Sequence, residues 1–317
     1  MRGTVAATTI DETDGAHLAP GLTSRIITLI AVAIPPLGLV VVAGTWWGVA
    51  VTPVDLGLLL FLYVVPGLGI TIGFHRYFTH KSFETSNAMR AVLAILGAMT
   101  TQGPVSQWVS DHRKHHAFSD VEGDPHSPHV GFGAGVLGAM RGLWHSHVGW
   151  LFSTKGLVVR TRFGRDLTAD KLLRVIDRMY FVWVALGFAI PYAIGYSIDG
   201  VSGGLQAMVW GGLIRIALFQ HVTWSVNSIC HMFGGRTYNT RDESRNNWLL
   251  ALPSLGEAWH NNHHAFPSSA VHGLDDKQLD LSGFLIHQME RIGLVWDVKR
   301  VDVAARLRRR AADEAVS

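Results

Sequence analysis

Histidine is the residue type with the most chemistry to offer in this chain, and its copies come in spaced groups. The stretch Gly256-Glu257-Ala258-Trp259-His260-Asn261-Asn262-His263-His264-Ala265-Phe266-Pro267 carries three at i, i+3 and i+4. On a helix that spacing sets all three imidazoles on one face. His112, His115 and His116 repeat it, and His75 and His80 form a third group. A ninth, His231, follows Asn227 by four residues, so the two share a helix face. One such triplet is as easily a surface accident as a metal site; three groups in one chain favour metal.

Nine imidazoles exceed what one ion takes, since zinc is satisfied by about four ligands. Two ions sharing them is the economical reading. His75 and His80 are five apart, roughly 140° around an ideal helix of about 3.6 residues per turn. Either the helix unwinds there, or the two residues serve different ions. Imidazole suits zinc, copper, iron and nickel alike. The ligand number fits a redox pair of irons that binds dioxygen better than it fits zinc.

Elements must carry these groups, and composition says where. Only 16% of the 317 residues are charged, against about 25% in soluble domains. The mean hydropathy is positive, +0.23, and the 11 tryptophans suit membrane interfaces. The single cysteine, Cys230, excludes an internal disulfide and a cysteine-based metal site. The net charge of +3 comes without basic residues gathered among aromatics, which argues against a nucleic-acid surface.

Residues 1–24 are polar and lack a signal-peptide pattern; they read as a flexible cytoplasmic arm. Four apolar runs follow, at about 26–46, 55–75, 180–198 and 204–225. Each nears the ~20 residues that span a bilayer, and short turns join them into two helical hairpins. Pro35-Pro36 should kink the first. The run over 91–101 is too short to span and reads as a buried or interfacial helix. The 81–178 segment holds about a dozen Lys and Arg, while the hairpin turns hold none. The positive-inside rule then puts both termini and every histidine group on the cytoplasmic side. The fold class is an all-α integral membrane protein: four transmembrane helices in two hairpins under a helical cytoplasmic cap. One domain covers 25–298, followed by a basic tail over 299–317. Asp280 and Ser282 signal a helix start, with Phe284, Ile286 and Ile292 as its apolar face. The run Arg306–Arg310 is either a contact for anionic headgroups or a solvated helix end. Apolar surface beside such a metal pair suggests a lipid substrate, whose unactivated C–H bonds need a strong oxidant.

The order of the groups resembles the membrane fatty acyl desaturases, most of all the acyl-CoA (stearoyl-CoA type) delta-9 branch. The matching text is Gly73-Phe74-His75-Arg76-Tyr77-Phe78-Thr79-His80, Trp108-Val109-Ser110-Asp111-His112-Arg113-Lys114-His115-His116, Asp124-Pro125-His126, Ser146-His147-Val148-Gly149-Trp150, Trp224-Ser225-Val226-Asn227-Ser228-Ile229-Cys230-His231, and the 256–267 stretch. The resemblance runs from about Leu58 to Val298. It implies a di-iron centre under the cap, with the nine histidines as ligands and Asn227 holding a metal-bound water. It implies dioxygen as co-substrate and a cis double bond placed at the delta-9 position of a saturated acyl chain, as acyl-CoA. A bent apolar tunnel would hold that chain, with Thr223 and Trp224 among its lining. Electrons would come from a separate redox partner of the ferredoxin, cytochrome b5 or flavin reductase type, since no cytochrome b5-like domain is expected in the tail. The setting would be a bacterial plasma membrane.

One departure bears on the acyl carrier. Acyl-CoA members often carry Arg before the Asp of the second histidine group, and here that position is Ser110. Asp111, Asp120, Asp124 and Glu257 are candidate acceptors that orient the imidazoles, with plain salt bridges as the competing account. His147 is assigned the same orienting role. His126 and His129 are expected to hydrogen-bond within the cap, and His145, His221, His272 and His287 to be structural. A hydroxylase acting on fatty acyl chains or alkanes with the same metal pair is the rival within enzymes. A membrane metal-binding or transport protein is the rival outside them; it would place ionisable groups inside the spans, where this chain has almost none.

Overall fold

The computed structural model describes residues 22–45, 51–152 and 156–310. The arm over 1–24 falls outside them save for 22–24, as does the end of the basic tail, 311–317. The chain is nearly all helix. Helix α1 is Leu22–Thr45, continuous through Pro35 and Pro36. Helix α2, Pro53–Leu68, starts at a capping box: Thr52 Oγ1 accepts from the Asp55 amide, and Asp55 accepts from the Thr52 amide. It runs without a break into a π-helix over Gly69–Thr79. Helix α3, Asn87–Ala98, is capped by Ser86 and lies against that wide segment with Leu93, Ala94, Gly97 and Ala98 buried. This is the short apolar helix of 91–101, found buried on one side.

Glycine sets the contact. A Cβ on Gly69 would come within 2.1 Å of the Gly97 backbone nitrogen, so the two backbones meet directly. Helix α4, Val105–Phe118, follows, then α5, Gly135–His147, and the short helices α6 to α8 at Gly156–Phe163, Arg165–Ala169 and Lys171–Arg178. Helix α9 is assigned over Tyr180–Met208, but Asp199 and Gly200 have non-helical backbone angles. The chain reverses there. Gly195 packs on Gly203, Tyr192 on Gly204 and Phe188 on Gly212. The two arms on either side of Asp199-Gly200 therefore pack on each other. A wide turn over Val209–Ile214 leads into α10, Arg215–Ser228.

The first pair of helices differs from expectation. Helix α1 packs chiefly against the Val209–Ile214 turn and α10 rather than against α2, and Gly38 makes the close approach to Leu213. The small residue at this contact is Gly38 of α1, whereas Gly211 and Gly212 face Pro191, Leu62 and Phe188 instead. Two stretches, Pro53–Thr79 and Tyr180–His231, are long and apolar enough to cross a membrane. Within the second lies Arg215, fully buried, its guanidinium donating to the carbonyls of Gly211, Met99 and Gly187.

The cap closes with α11 (Trp248–Ala251), α12 (His260–Ala265), α13 (Leu281–Arg291) and α14 (Val303–Arg309). Strand β1, Glu84–Thr85, pairs antiparallel with β2, Val295–Trp296. Asp280 caps α13 as its sequence signal predicts. Of the expected apolar face only Ile286 is buried; Phe284 is 56% exposed and Ile292 72%, because α13 meets the cap through Ser282, Gly283 and Ile286. The basic tail is neither free nor wholly solvated. Arg306 donates to the Leu274 carbonyl and Arg309 to that of Ala265, and the Arg309 guanidinium lies over the Phe266 ring.

Candidate metal centre

All nine predicted histidines meet in the cap, and they divide into two sets. His75, His80, His112, His116 and His263 converge on one point, and His115, His231, His260 and His264 on another. Within each set the candidate ligand atoms lie within 4.8 Å of one another. Each triplet is therefore split. The i and i+4 members of the second group enter the first cluster, while its i+3 member enters the other; the last group does the reverse. One shared face, as read from the spacing alone, is corrected to two diverging directions.

The π-helix settles the question of His75 and His80. Its hydrogen bonds run from i to i+5, and the His80 amide donates to the His75 carbonyl at 3.2 Å. The wider turn returns a five-residue step to the same side, and the two rings stand 5.0 Å apart. Such wide turns occur most often at functional sites.

Carboxylates fix the rings. The Nδ1–H of His115 donates to Asp124 at 3.0 Å, that of His231 to Asp120 at 2.7 Å, and that of His264 to Asp242 at 2.9 Å. His75 Nδ1 is paired with Glu257, which also takes Arg76. Arg76 is fully buried and reaches Asp280 at 3.0 Å with its other nitrogen. Asp124 and Glu257 thus sit where the sequence put them. Asp111 does not: it receives its hydrogen bond from Gln107 at 2.7 Å, one turn back on α4. His147 also lies aside, bonded to Ser228 and His221 at 3.0 Å each, so it braces α10 rather than a ring of either cluster. His129 donates to the His231 carbonyl at 2.8 Å, and His126 stacks on His115 with centroids 4.2 Å apart.

Sequence reasoning missed three features. Asp242 lies in a loop with no pattern around it. His272, set aside as structural, is 1% exposed, with its ring 4.5 Å from that of His263 and neither nitrogen hydrogen-bonded. Asn261 and Asn262, assigned no role from the sequence, anchor α12. Asn261 clamps the Tyr238 peptide from both sides, and Asn262 bridges Asn246, the His272 carbonyl and Gln278. That pair of amides holds a six-residue helix, too short to be stable alone, in a fixed orientation.

The donor set fits metal ions. Where Nδ1–H is given to a carboxylate, Nε2 carries only a lone pair. The Nε2 atoms of His115 and His264 nevertheless face each other at 3.4 Å. Two bare lone pairs repel, and a cation between them removes the conflict. Nε2 pairs across His231–His260, His75–His263 and His116–His263 stand at 3.0, 3.1 and 2.9 Å. Neighbouring nitrogens on one ion at about 2.0–2.1 Å are separated by about 2.9–3.4 Å. Burial, reinforced by the neighbouring imidazoles, holds His80, His112, His115, His116, His260 and His263 well below the usual histidine range. The rings are neutral, which is the ligating form. Burial also opposes ionisation of Asp120 and Asp242, but the hydrogen bonds and charge of His231 and His264 outweigh it and hold both carboxyls low. Asp124 is pushed up to about 7, burial outweighing the amides that bond it.

Residues 45–285 match the family model described as fatty acid desaturase. The chain belongs to the fatty acid desaturase family. Its relatives include the hex-5-enoyl-[acyl-carrier protein] acetylenase of Moorena producens, 42% identical over 84% of this chain and 83% of that protein. The delta-9 acyl-lipid desaturase 1 of Arabidopsis thaliana is 41% identical over 76% of this chain and 73% of its own. The sn-1 stearoyl-lipid 9-desaturase of Anabaena variabilis is 38% identical over 77% and 83%. Desaturases are iron-using oxidoreductases of lipid metabolism, and a buried all-imidazole donor set with carboxylate partners suits that metal.

Of the candidate tunnel residues of this desaturase, Thr223 is linked to the first cluster through Gln102 and Trp108, whereas Trp224 packs elsewhere. Thr223 Oγ1 donates to the Phe219 carbonyl and accepts from Gln102 Nε2 at 3.0 Å. Gln102 in turn accepts from Trp108 Nε1 at 3.3 Å, and Trp108 stacks on His112. Trp224 is buried and packs edge-on to His147 and His221. Asn227 is half-buried, its carbonyl accepting from Ser146 Oγ at 2.9 Å.

Proposed function

We propose that this desaturase is a multi-pass membrane enzyme that uses two iron ions and dioxygen to introduce a cis double bond at the delta-9 position of a saturated acyl chain. The observation that carries this reading is the division of nine imidazoles, packed together in the cap, into sets of five and four. His75, His80, His112, His116 and His263 would hold one ion. His115, His231, His260 and His264 would hold the other, with Asn227 contributing through a water. When bound, the iron pair supplies the oxidising power that removes two hydrogens from adjacent methylenes, with electrons delivered by a separate redox partner. The protein's own part is positional. Asp120, Asp124, Asp242 and Glu257 lock the tautomers and aim each Nε2 inward. The link His112–Trp108–Gln102–Thr223 joins the first cluster to α10, and it defines the wall against which an acyl chain is held at a set depth. Burial of the cluster excludes water from the oxidant.

Helices α1, α2 with its wide extension, and the two arms about Asp199-Gly200 are read as four spans, with the cap and both termini on the cytoplasmic side of a bacterial plasma membrane. The acyl carrier is read as a membrane lipid rather than CoA. Ser110 is fully buried, its hydroxyl donating to the Ser106 carbonyl, and a Cβ on Gly164 would come within 2.2 Å of it. A long cationic side chain for a CoA head has no room there. The Arabidopsis and Anabaena relatives, an acyl-lipid and a stearoyl-lipid desaturase, support the same choice.

The test is the fatty-acid profile of cells expressing the chain, followed by turnover of the purified, iron-loaded protein with defined acyl-lipid, acyl-carrier-protein and acyl-CoA donors. New delta-9 monounsaturates on lipid are expected, absent with His263→Ala. Hydroxylated chains as the sole product would replace the reading with the hydroxylase.

A further inference from the structure

Helix α5 presents its face the wrong way round for a soluble cap. At about 100° per residue, Gly138, Gly142 and Ser146 share one side, and these are its buried residues. Gly142 lies against the Pro128 carbonyl, where a Cβ would clash at 1.9 Å. Ser146 and His147 bond to Asn227 and Ser228 of α10. The opposite side carries Val136, Leu137, Met140 and Trp144, exposed by 79, 59, 62 and 68%. No acidic residue lies in the helix, and its one Lys or Arg, Arg141, stands at the flank of that stripe.

The apolar stripe does not end at α5. Alongside it α10 exposes Leu218, and the turn after α5, Gly149–Phe152, touches α1. The lower part of α1 exposes Leu22, Ile26 and Leu29. The stripe is thus continuous with the outer surface of the proposed spans. We propose that α5 lies in the plane of the bilayer interface, with Val136, Leu137, Met140 and Trp144 sunk among the lipid chains and Arg141 at the anionic headgroups. Its occupant is the lipid surface itself. Small residues inward and large apolar residues outward are what a helix needs to press closely on the 128–133 loop and, through Ser146, on α10, while exposing its bulk to hydrocarbon. A flanking Arg buries its stem and keeps its charge among phosphates. The anchor is attached to the centre: the loop from Asp124 to Phe132 that meets α5 also supplies the His115 and His231 contacts through Asp124 and His129.

This inference rests on the reading of the long apolar helices as bilayer-embedded, and the experiment separates the two. Cysteine is introduced singly at Leu137, Met140 and Trp144, at Phe61 on the exposed side of α2, and at Asp276 in an exposed turn of the cap. Cys230 is fully buried and serves as the unlabelled background. Each variant of the full chain is spin-labelled and placed in nanodiscs of phosphatidylcholine and phosphatidylglycerol. Collision with dioxygen and with a water-soluble nickel chelate is then measured. Positions 137, 140 and 144 should lose nickel accessibility relative to 276 and gain dioxygen accessibility, as 61 does. Nickel accessibility at all three equal to that at 276, with 61 still protected, overturns the anchor alone. Protection from both reagents, or dipolar coupling between labelled copies, means that protein covers the face and also overturns it. Free nickel access at 61 defeats the bilayer reading itself.

Discussion

His263 and His264 are consecutive residues that serve opposite clusters. Nε2 of His263 lies 2.9 Å from His116, and Nε2 of His264 lies 3.4 Å from His115. The ligand set is therefore separable by mutation. His112→Ala and His260→Ala should each lower the iron bound per chain and abolish formation of monounsaturates. His287→Ala, on an exposed side chain of α13, should change neither. Iron analysis and gas chromatography of products read both quantities; wild-type iron content in His112→Ala and His260→Ala would sink the assignment.

The carboxylates give a second contrast. Asp242 orients His264, whereas Asp111 bonds only Gln107 among its side-chain partners described above. Asp242→Asn should weaken iron binding or turnover by roughly 10–100-fold, the usual cost of losing a group behind a ligand. Asp111→Asn should leave both within about a factor of two, consistent with a carboxyl that burial already pushes up to about 7. Equal losses in the two variants would show that charge in the cap, not ring orientation, is what matters.

The contact of the wide helix with α3 tolerates no added atom at Gly69, whereas a Cβ on Gly57 meets nothing within 4 Å. Gly69→Ala should cost about 1–3 kcal/mol through overpacking and displace His75 and His80 together. Gly57→Ala should be neutral or slightly stabilising. Thermal melting of the detergent-solubilised variants, followed by size-exclusion chromatography, decides between them.

Iron-free protein should lose stability on acidification. Six of the cluster histidines, His80, His112, His115, His116, His260 and His263, are held well below their unfolded value by burial. Above about pH 6.5 both states are unprotonated there. Below it the unfolded chain takes up protons that the folded cluster refuses, so stability falls as pH drops. A chelator-treated sample should melt at progressively lower temperature from pH 7 to 5, and iron, which binds only unprotonated rings, should raise the melting temperature without flattening that slope. A flat profile without metal would contradict the burial argument.

The histidine set was legible in the sequence because number and spacing are properties of the chain alone. The four apolar runs were legible for the same reason, though which of them pack together was not: α1 lies against 209–214, with its Gly38 on Leu213. Sharing nine nitrogens between two ions at four or five each was legible, but which histidine joins which set was not, since it depends on how α4 and α12 face one another and on a wide helix at 69–79 that no residue pattern announces. Asp124 and Glu257 sit close to a histidine group in sequence and were found; Asp242 approaches from a remote loop and was not. Ser110 was recognised as a departure, but its meaning required the packing of Gly164. The outward face of α5 was overlooked because glycine-rich text reads as loop until one sees that the glycines are the contact.

The splitting of each triplet has a consequence for assembly. Helices α4 and α12 each lend residues to both clusters, so an ion in either one cross-links the two helices. Filling the first pocket fixes the spacing that the second requires, and loses for the second the entropy of bringing the helices together. For the proposed iron pair this is a chelate effect between sites, and loading becomes cooperative: under limiting iron, chains should be found mostly empty or doubly filled, with singly loaded species scarce.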